Sequence, residues 1–255
     1  MEQDLNRQLS VTADNRPVRS FRHAHLSGRD AVGLDPLPFT VRLWNLSESD
    51  YHLLAAAKEI SVSHGDTVLA SGQISDVCRR SAPEGTVTEV VFSPGLSLWE
   101  APVSLSVEAG VSVSETLERI LSASGTGIPL LSFPGEDPVR TRGQAFFGRA
   151  AECVNEALSA AKARACLTPS GLCVIPEEGL PVSMELTEAD LTDAPSPCGE
   201  KMLVATTRLK GWLPGKRISL KWQEQQYEGL VIMRSVDADN LEGNWESELL
   251  IEVSS

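Results

Sequence analysis

The chain is poor in aromatic side chains, in histidine and in positive charge. Aromatics are only 5% of its 255 residues, so a core must be built mostly from aliphatic side chains. Four histidines, and five cysteines with no Cys-x-x-Cys pair, leave no zinc-site spacing. No stretch approaches the about 20 apolar residues of a membrane helix, and the opening "MEQDLNRQLS" has no apolar signal region. The chain is therefore expected to stay in the compartment where it is made unless a partner exports it. A Gly-rich phosphate loop, a His-Glu-x-x-His pair and a Gly-x-Ser-x-Gly elbow are all missing. No residue stands out as catalytic, and no cofactor or metal is expected. With 22 basic against 35 acidic residues the net charge is −13. Such a surface repels phosphate and disfavours sequence-independent nucleic-acid binding, yet it suits a surface past which nucleic acid slides without sticking.

What is present is a succession of short strand signals. Hydrophobic residues are 42% and charged ones 22%, ordinary for a globular protein with a real core. Leu5 to Thr12 and Pro17 to Phe21 flank the turn Ala13-Asp14-Asn15-Arg16, a hairpin signature. Phe39 to Leu43 alternates apolar with polar, Ile60 to Ser63 and Thr67 to Ala70 flank His64-Gly65-Asp66, and Val87 to Phe92 adds another strand. Between them, Ser47 to Glu59 has a capping serine and good helix formers. Val103 to Glu108 has the cleanest period-two pattern. Residues 1–109 are thus expected to form a first small β-barrel.

The pattern changes at Gly110. Ser112-Val113-Ser114-Glu115 fits a capping box, followed by Val113, Leu117, Ile120 and Leu121 on one helical stripe and by Gly125 as a stop. A second box, Thr141 to Gln144, is expected to open a longer helix with Phe147, Ala150, Val154, Leu158 and Ala161 on one face. Thr168-Pro169-Ser170-Gly171 then reads as a turn that brings Cys166 opposite Cys173. That geometry admits a disulfide, although an odd cysteine count favours reduced, buried thiols. Residues 110–176 are read as an α/β insert. Residues 177–255, with strands at Met202 to Leu209, Lys216 to Trp222 and Tyr227 to Val236, are read as a second small β-barrel.

Several candidates for chemistry are weaker than a structural reading. "DADNLEGNWESE" (Asp237 to Glu248) has the acids of a calcium loop, but Leu241 stands at position five and Glu242 where the turn glycine belongs. Its β-branched flanks make it a hairpin loop. His23 and His25 share a strand face, as some metal pairs do, without a third ligand near in sequence. Glu177 and Glu178 are a solvated pair on a loop. Trp212, Trp222 and Trp245 are core plugs or interface anchors. Trp222 is read as core, Trp212 is open between the two, and Trp212, Leu213 and Trp245 are the candidates for a subunit interface.

Three phrases, in order, resemble the baseplate hub proteins of tailed bacteriophages and related contractile injection systems. "LSVEAGVSVSETLERILSASG" (Leu105 to Gly125) is similar to the family's strand and helix that close a first barrel. "GQAFFGRAAECVNEALSAAKARACLTPSGLCVI" (Gly143 to Ile175) looks like its second helix and hairpin. "LKGWLPGKRISLKW" (Leu209 to Trp222) with "GLVIMRSVDADNLEGNWESELLIEV" (Gly229 to Val253) looks like its second barrel. The resemblance implies a non-enzymatic, structural role in a virion tail baseplate assembled in the host cytoplasm. It implies a homotrimer whose two barrels per chain form a pseudo-sixfold ring. That ring would join tail tube protein to central spike protein, touch other baseplate proteins and leave a channel for DNA. Many hubs are longer, so this chain would be a compact version. Two other classes stay open beside it. One is a tail-associated cell-wall-degrading enzyme; the other is a carbohydrate-binding β module with Trp212 and Trp245 as its platform.

Overall fold

The computed structural model describes residues 7–176, 180–211 and 213–253. Strands dominate. A first β lobe holds β1 (Leu9–Ala13), β2 (Arg16–Val18), β3 (His23–Ala31), β4 (Phe39–Trp44), β5 (Glu59–His64), β6 (Thr67–Ala82) and β7 (Gly85–Ser93), with helix α1 (Glu48–Ala56) between β4 and β5. The insert comprises α2 (Leu96–Glu100), β8 (Pro102–Val107), α3 (Val113–Ser124), β9 (Leu130–Ser132), β10 (Gln144–Arg149), α4 (Ala150–Ser159), β11 (Ala163–Thr168) and β12 (Gly171–Pro176). A second β lobe has β13 (Val182–Leu186), β14 (Ser196–Pro197), β15 (Met202–Arg208), β16 (Arg217–Trp222), β17 (Gln225–Asp239) and β18 (Trp245–Val253).

Local signals account for most of these boundaries. Asp14 and Asn15 take positive φ to turn β1 into β2, as small polar residues can. Ser47 caps α1 by accepting the Asp50 N–H at 3.2 Å. Ser112 does the same for α3 through the Glu115 N–H, and Gly125 ends that helix at φ +66°. The reciprocal half of that box does not form, because the Glu115 carboxylate turns to Arg119 at 2.7 Å.

The mainly β class with a helix-bearing insert is as expected, and the strand pairings among the described residues do not show either lobe closed into a barrel. Thirteen strands make one sheet whose main path runs β14-β15-β18-β17-β3-β4-β7-β6-β5-β1-β2, with β16 and β13 branching from β17. The path is open: among the described residues its end strands β14 and β2 do not pair with each other. The two lobes are joined through β17. Along one edge it pairs with β16 through Gln225 to Leu230, then passes that edge to β3 from Met233 to Asp239. The handover falls at a bulge between Val231 and Met233, where the strand bends. One long strand therefore serves two cores. Val231 packs with Leu203, Leu220, Leu249 and Ile251 in the second lobe, while Val236 and Ala238 pack with Leu26, Val41, Leu43 and Val62 in the first.

The insert has a core of its own, built from one face of α3 and α4 against β8, β10, β11 and β12. The long helix expected from Thr141 is a correction: Gln144–Arg149 is a strand, and the helix starts only at Ala150. Phe146 is buried and Phe147 is 87% exposed, the alternation of a strand rather than the stripe of a helix. Tertiary pairing decides this, since the period-two face of β8 is completed by antiparallel β10, with Phe146 opposite Leu105. β8, counted above with the first β region, sends Val103 and Val107 into the insert core.

Candidate assembly site

The junction between the lobes is organised by one buried charge pair. Arg234, on β17 just past the bulge, is wholly buried. Its Nη2 donates to Asp30 of β3 and to the carbonyl of Leu69 on β6, at 2.5 and 2.6 Å. Its Nη1 donates to the carbonyls of Lys210 and Gly211, at 2.9 and 2.7 Å, on the approach to β16. One guanidinium thus ties two first-lobe groups to the chain entering the second lobe. Burial pushes the Asp30 carboxyl's pKa up, against the pull of the Arg234 charge. Nothing in the sequence marks Arg234 or Asp30 for this role.

On the β3–β17 surface, His23 Nε2 lies 3.0 Å from both carboxylate oxygens of Asp239, and His25 Nε2 lies 2.7 Å from Asp237. The Trp44 ring stacks on His23 at 3.8 Å. The two imidazoles share a strand face but engage different aspartates, and no cluster of three or more metal-ligating side chains exists among the described residues. Asp239 also closes the hairpin loop, accepting the N–H groups of Leu241 and Glu242 at 2.9 and 3.0 Å. Burial pushes its carboxyl up, but the His23 contact and those N–H groups outweigh it and hold the pKa below the ordinary value. The Asp237 to Glu248 stretch is thus the tip of the β17–β18 hairpin, with the turn at residues 240–244 and its leading acids spent on imidazoles and backbone.

The interface candidates separate. Leu213 is 1% exposed and belongs to the second lobe's own core, so its side chain is not offered to a neighbour. Trp245 is half-buried on the first lobe's core, with His64 edge-on at 5.2 Å and the Arg7 guanidinium 5.9 Å from its ring centroid. Trp222 packs on the second core, the place read for it. Trp212, Glu177 and Glu178 lie outside the described residues. Cys166 and Cys173 are cross-strand partners, and all five cysteines are thiols; Cys166 Sγ donates to the Pro214 carbonyl at 3.3 Å.

Two surface features were invisible to sequence patterning. A cleft of about 410 Å³ opens between the first lobe and the insert, with Asp14 and Glu59 among its lining. On the far side of α2, a groove beside Trp99 carries the exposed Phe147 and Arg149.

This architecture, a β lobe, a helix-bearing insert and a second β lobe sharing a strand with the first, is the fold of phage tail proteins. The tail protein from Neisseria meningitidis MC58 superposes with a TM-score of 0.68 at 10% identity, over 96% of this chain and 95% of that one. The 43 kDa tail protein of prophage MuSo2 from Shewanella oneidensis gives 0.67 at 10% identity, over 97% and 96%. The E. coli c3393 protein is a component of the type VI secretion system with structural similarity to the T4 bacteriophage tail proteins gp27 and gp5. It gives 0.68 at 13% identity, over 97% of this chain and 77% of that one. At such identities the likeness is one of fold. No family model matches the sequence, and no curated protein matches it.

Proposed function

We propose that the chain is a structural hub component of a phage-tail or related contractile baseplate. Three copies would form a pseudo-sixfold ring that joins the tail tube to the central spike and leaves a channel for DNA. The observation that carries this reading is the end-to-end likeness to tail proteins, which takes in both β lobes and the insert rather than one lobe alone. Two β lobes locked by a buried ion pair suit a rigid ring segment that meets a sixfold surface on one side and a threefold one on the other. The net charge of −13 suits a lumen that DNA traverses without adhering. In this reading the three parts expected at residues 1–109, 110–176 and 177–255 act as lobe, insert and lobe, with α2 and β8 packing on the insert side. Trp212 and Trp245 are the aromatic candidates for subunit contacts. The product belongs to the virion tail and is assembled in host cytoplasm. The chain is not an enzyme in this role.

The test is an image of the assembled particle, or light scattering of the chain mixed with its tube and spike proteins. Three copies at the tube–spike junction are expected, and a single copy with both partners present would sink the reading. Purified chain is expected to leave the turbidity of peptidoglycan unchanged.

A further inference from the structure

Among the described residues, Phe147 is the most exposed of the large apolar side chains, ahead of Leu241 and Val139. Phe147 stands 87% exposed on the outer face of the β8–β10 ribbon. Around it on that face are Ala145 of the same strand and Ser104 and Ser106 of β8, all too short to cover the ring. Two residues on, Arg149 shares the face. Its guanidinium lies 5.8 Å from the Trp99 ring centroid and forms no ion pair among the described residues.

The matching shape is on the same molecule. The cleft of about 410 Å³ has Pro94, Ile128, Pro129 and Leu167 as apolar lining, with Asp14 and Glu59 beside them. Asp14 Oδ1 accepts the N–H groups of Lys58 and Glu59, at 3.1 and 3.0 Å, which anchors that wall. Neither carboxylate has a cationic partner among the described residues, so cleft and knob carry opposite unpaired charges. The two features flank α2: Ser97 lines the cleft, while Trp99 and Glu100 line the groove beside Phe147. Phe147 does not line its own chain's cleft, so the contact has to come from another copy.

We infer that Phe147 and Arg149 of one copy seat in the Asp14–Glu59 cleft of a second copy, the ring on the apolar lining and the guanidinium against Glu59. This rests on the ring reading and deepens it. A knob meeting a different surface on its neighbour is a head-to-tail contact, which makes a ring where its rotation closes and an open filament where it does not. An aromatic and an arginine are the side chains that most often dominate such contacts.

The experiment is sedimentation velocity of the purified chain across a concentration series, with near-UV circular dichroism to check that each variant is folded. Wild-type protein is expected to self-associate. Phe147→Ser and Arg149→Glu should each weaken association by about tenfold or more. Glu59→Arg should do the same, and the combined Arg149→Glu/Glu59→Arg chain should recover most of the loss. Single variants that associate like wild type, or a combined variant that recovers nothing, would overturn the contact while leaving the ring reading intact. A wild-type chain that stays monomeric at every concentration would also overturn it. The ring reading would then be decided separately by the particle image.

Discussion

At the scale of single residues, Arg234 is the side chain on which most depends. Removing one member of a buried pair leaves the other charge uncompensated, and three backbone carbonyls lose a donor with it. Arg234→Met is expected to cost about 3–5 kcal/mol in urea unfolding. Adding Asp30→Leu should recover part of that, because the stranded charge is then gone. A loss under about 1 kcal/mol for the single variant would contradict this account. Asp190 works differently. Lys210 Nζ donates to its Oδ1 at 2.6 Å, and the Thr187 N–H and hydroxyl donate to Oδ2 at 3.0 Å. The Lys210 bond first, with the Thr187 groups behind it, holds the Asp190 carboxyl below its usual range. A folded pKa below the unfolded one stabilises the protein above about pH 4, and that stability is lost as pH falls through the folded value. Thermal midpoints should therefore fall less on acidification in Asp190→Asn than in wild type, starting from a lower neutral-pH midpoint. Parallel curves would exclude the role.

At the scale of elements, the β3–β4 ladder shows how one residue type enforces a pairing. Gly28 sits at φ +153° opposite Phe39, whose ring and Cα would lie 2.6 and 2.7 Å from a Cβ placed there. Phe39 is part of the first lobe's core and cannot move aside cheaply. Gly28→Ala is expected to lose about 3 kcal/mol or more in chemical denaturation, against about 1 kcal/mol for alanine at Gly65, which meets no neighbour but takes φ +55°. Equal losses at the two sites would mean that the close approach of Phe39 is not the cause. Elements with local punctuation were legible in the sequence: the β1–β2 hairpin by Asp14-Asn15, α1 by Ser47, α3 by Ser112 and Gly125, the β17–β18 hairpin by its Asp-Asn-Gly run. The strand Gln144–Arg149 was not. Its Thr141 to Gln144 opening imitates a capping box, and only pairing with β8 selects the extended form.

At the scale of the whole molecule, β17 couples the two lobes. Because the same strand lines both cores, unfolding either lobe strips a pairing edge and core side chains from the other. The lobes should therefore unfold together. Fluorescence of Trp222, packed on the second lobe's core, and of Trp245, on β18 but packed on the first lobe's core, each isolated by replacing the other tryptophans with phenylalanine, should change at the same urea concentration. Separate midpoints would show that the lobes are independent units.

Period, capping and charge determined, from the sequence alone, that the chain is strand-rich, carries helices in its middle third and is strongly acidic. Those are local or additive properties, readable within a few turns of chain. Tertiary structure decided the rest. It joined the lobes into one open sheet, spent the His23 and His25 imidazoles on Asp239 and Asp237, buried Leu213, and placed Arg234 beside Asp30. It also turned Phe147 outward. Each of these depends on which distant strand lies alongside, and strand partners hundreds of residues apart leave no periodic trace in either segment.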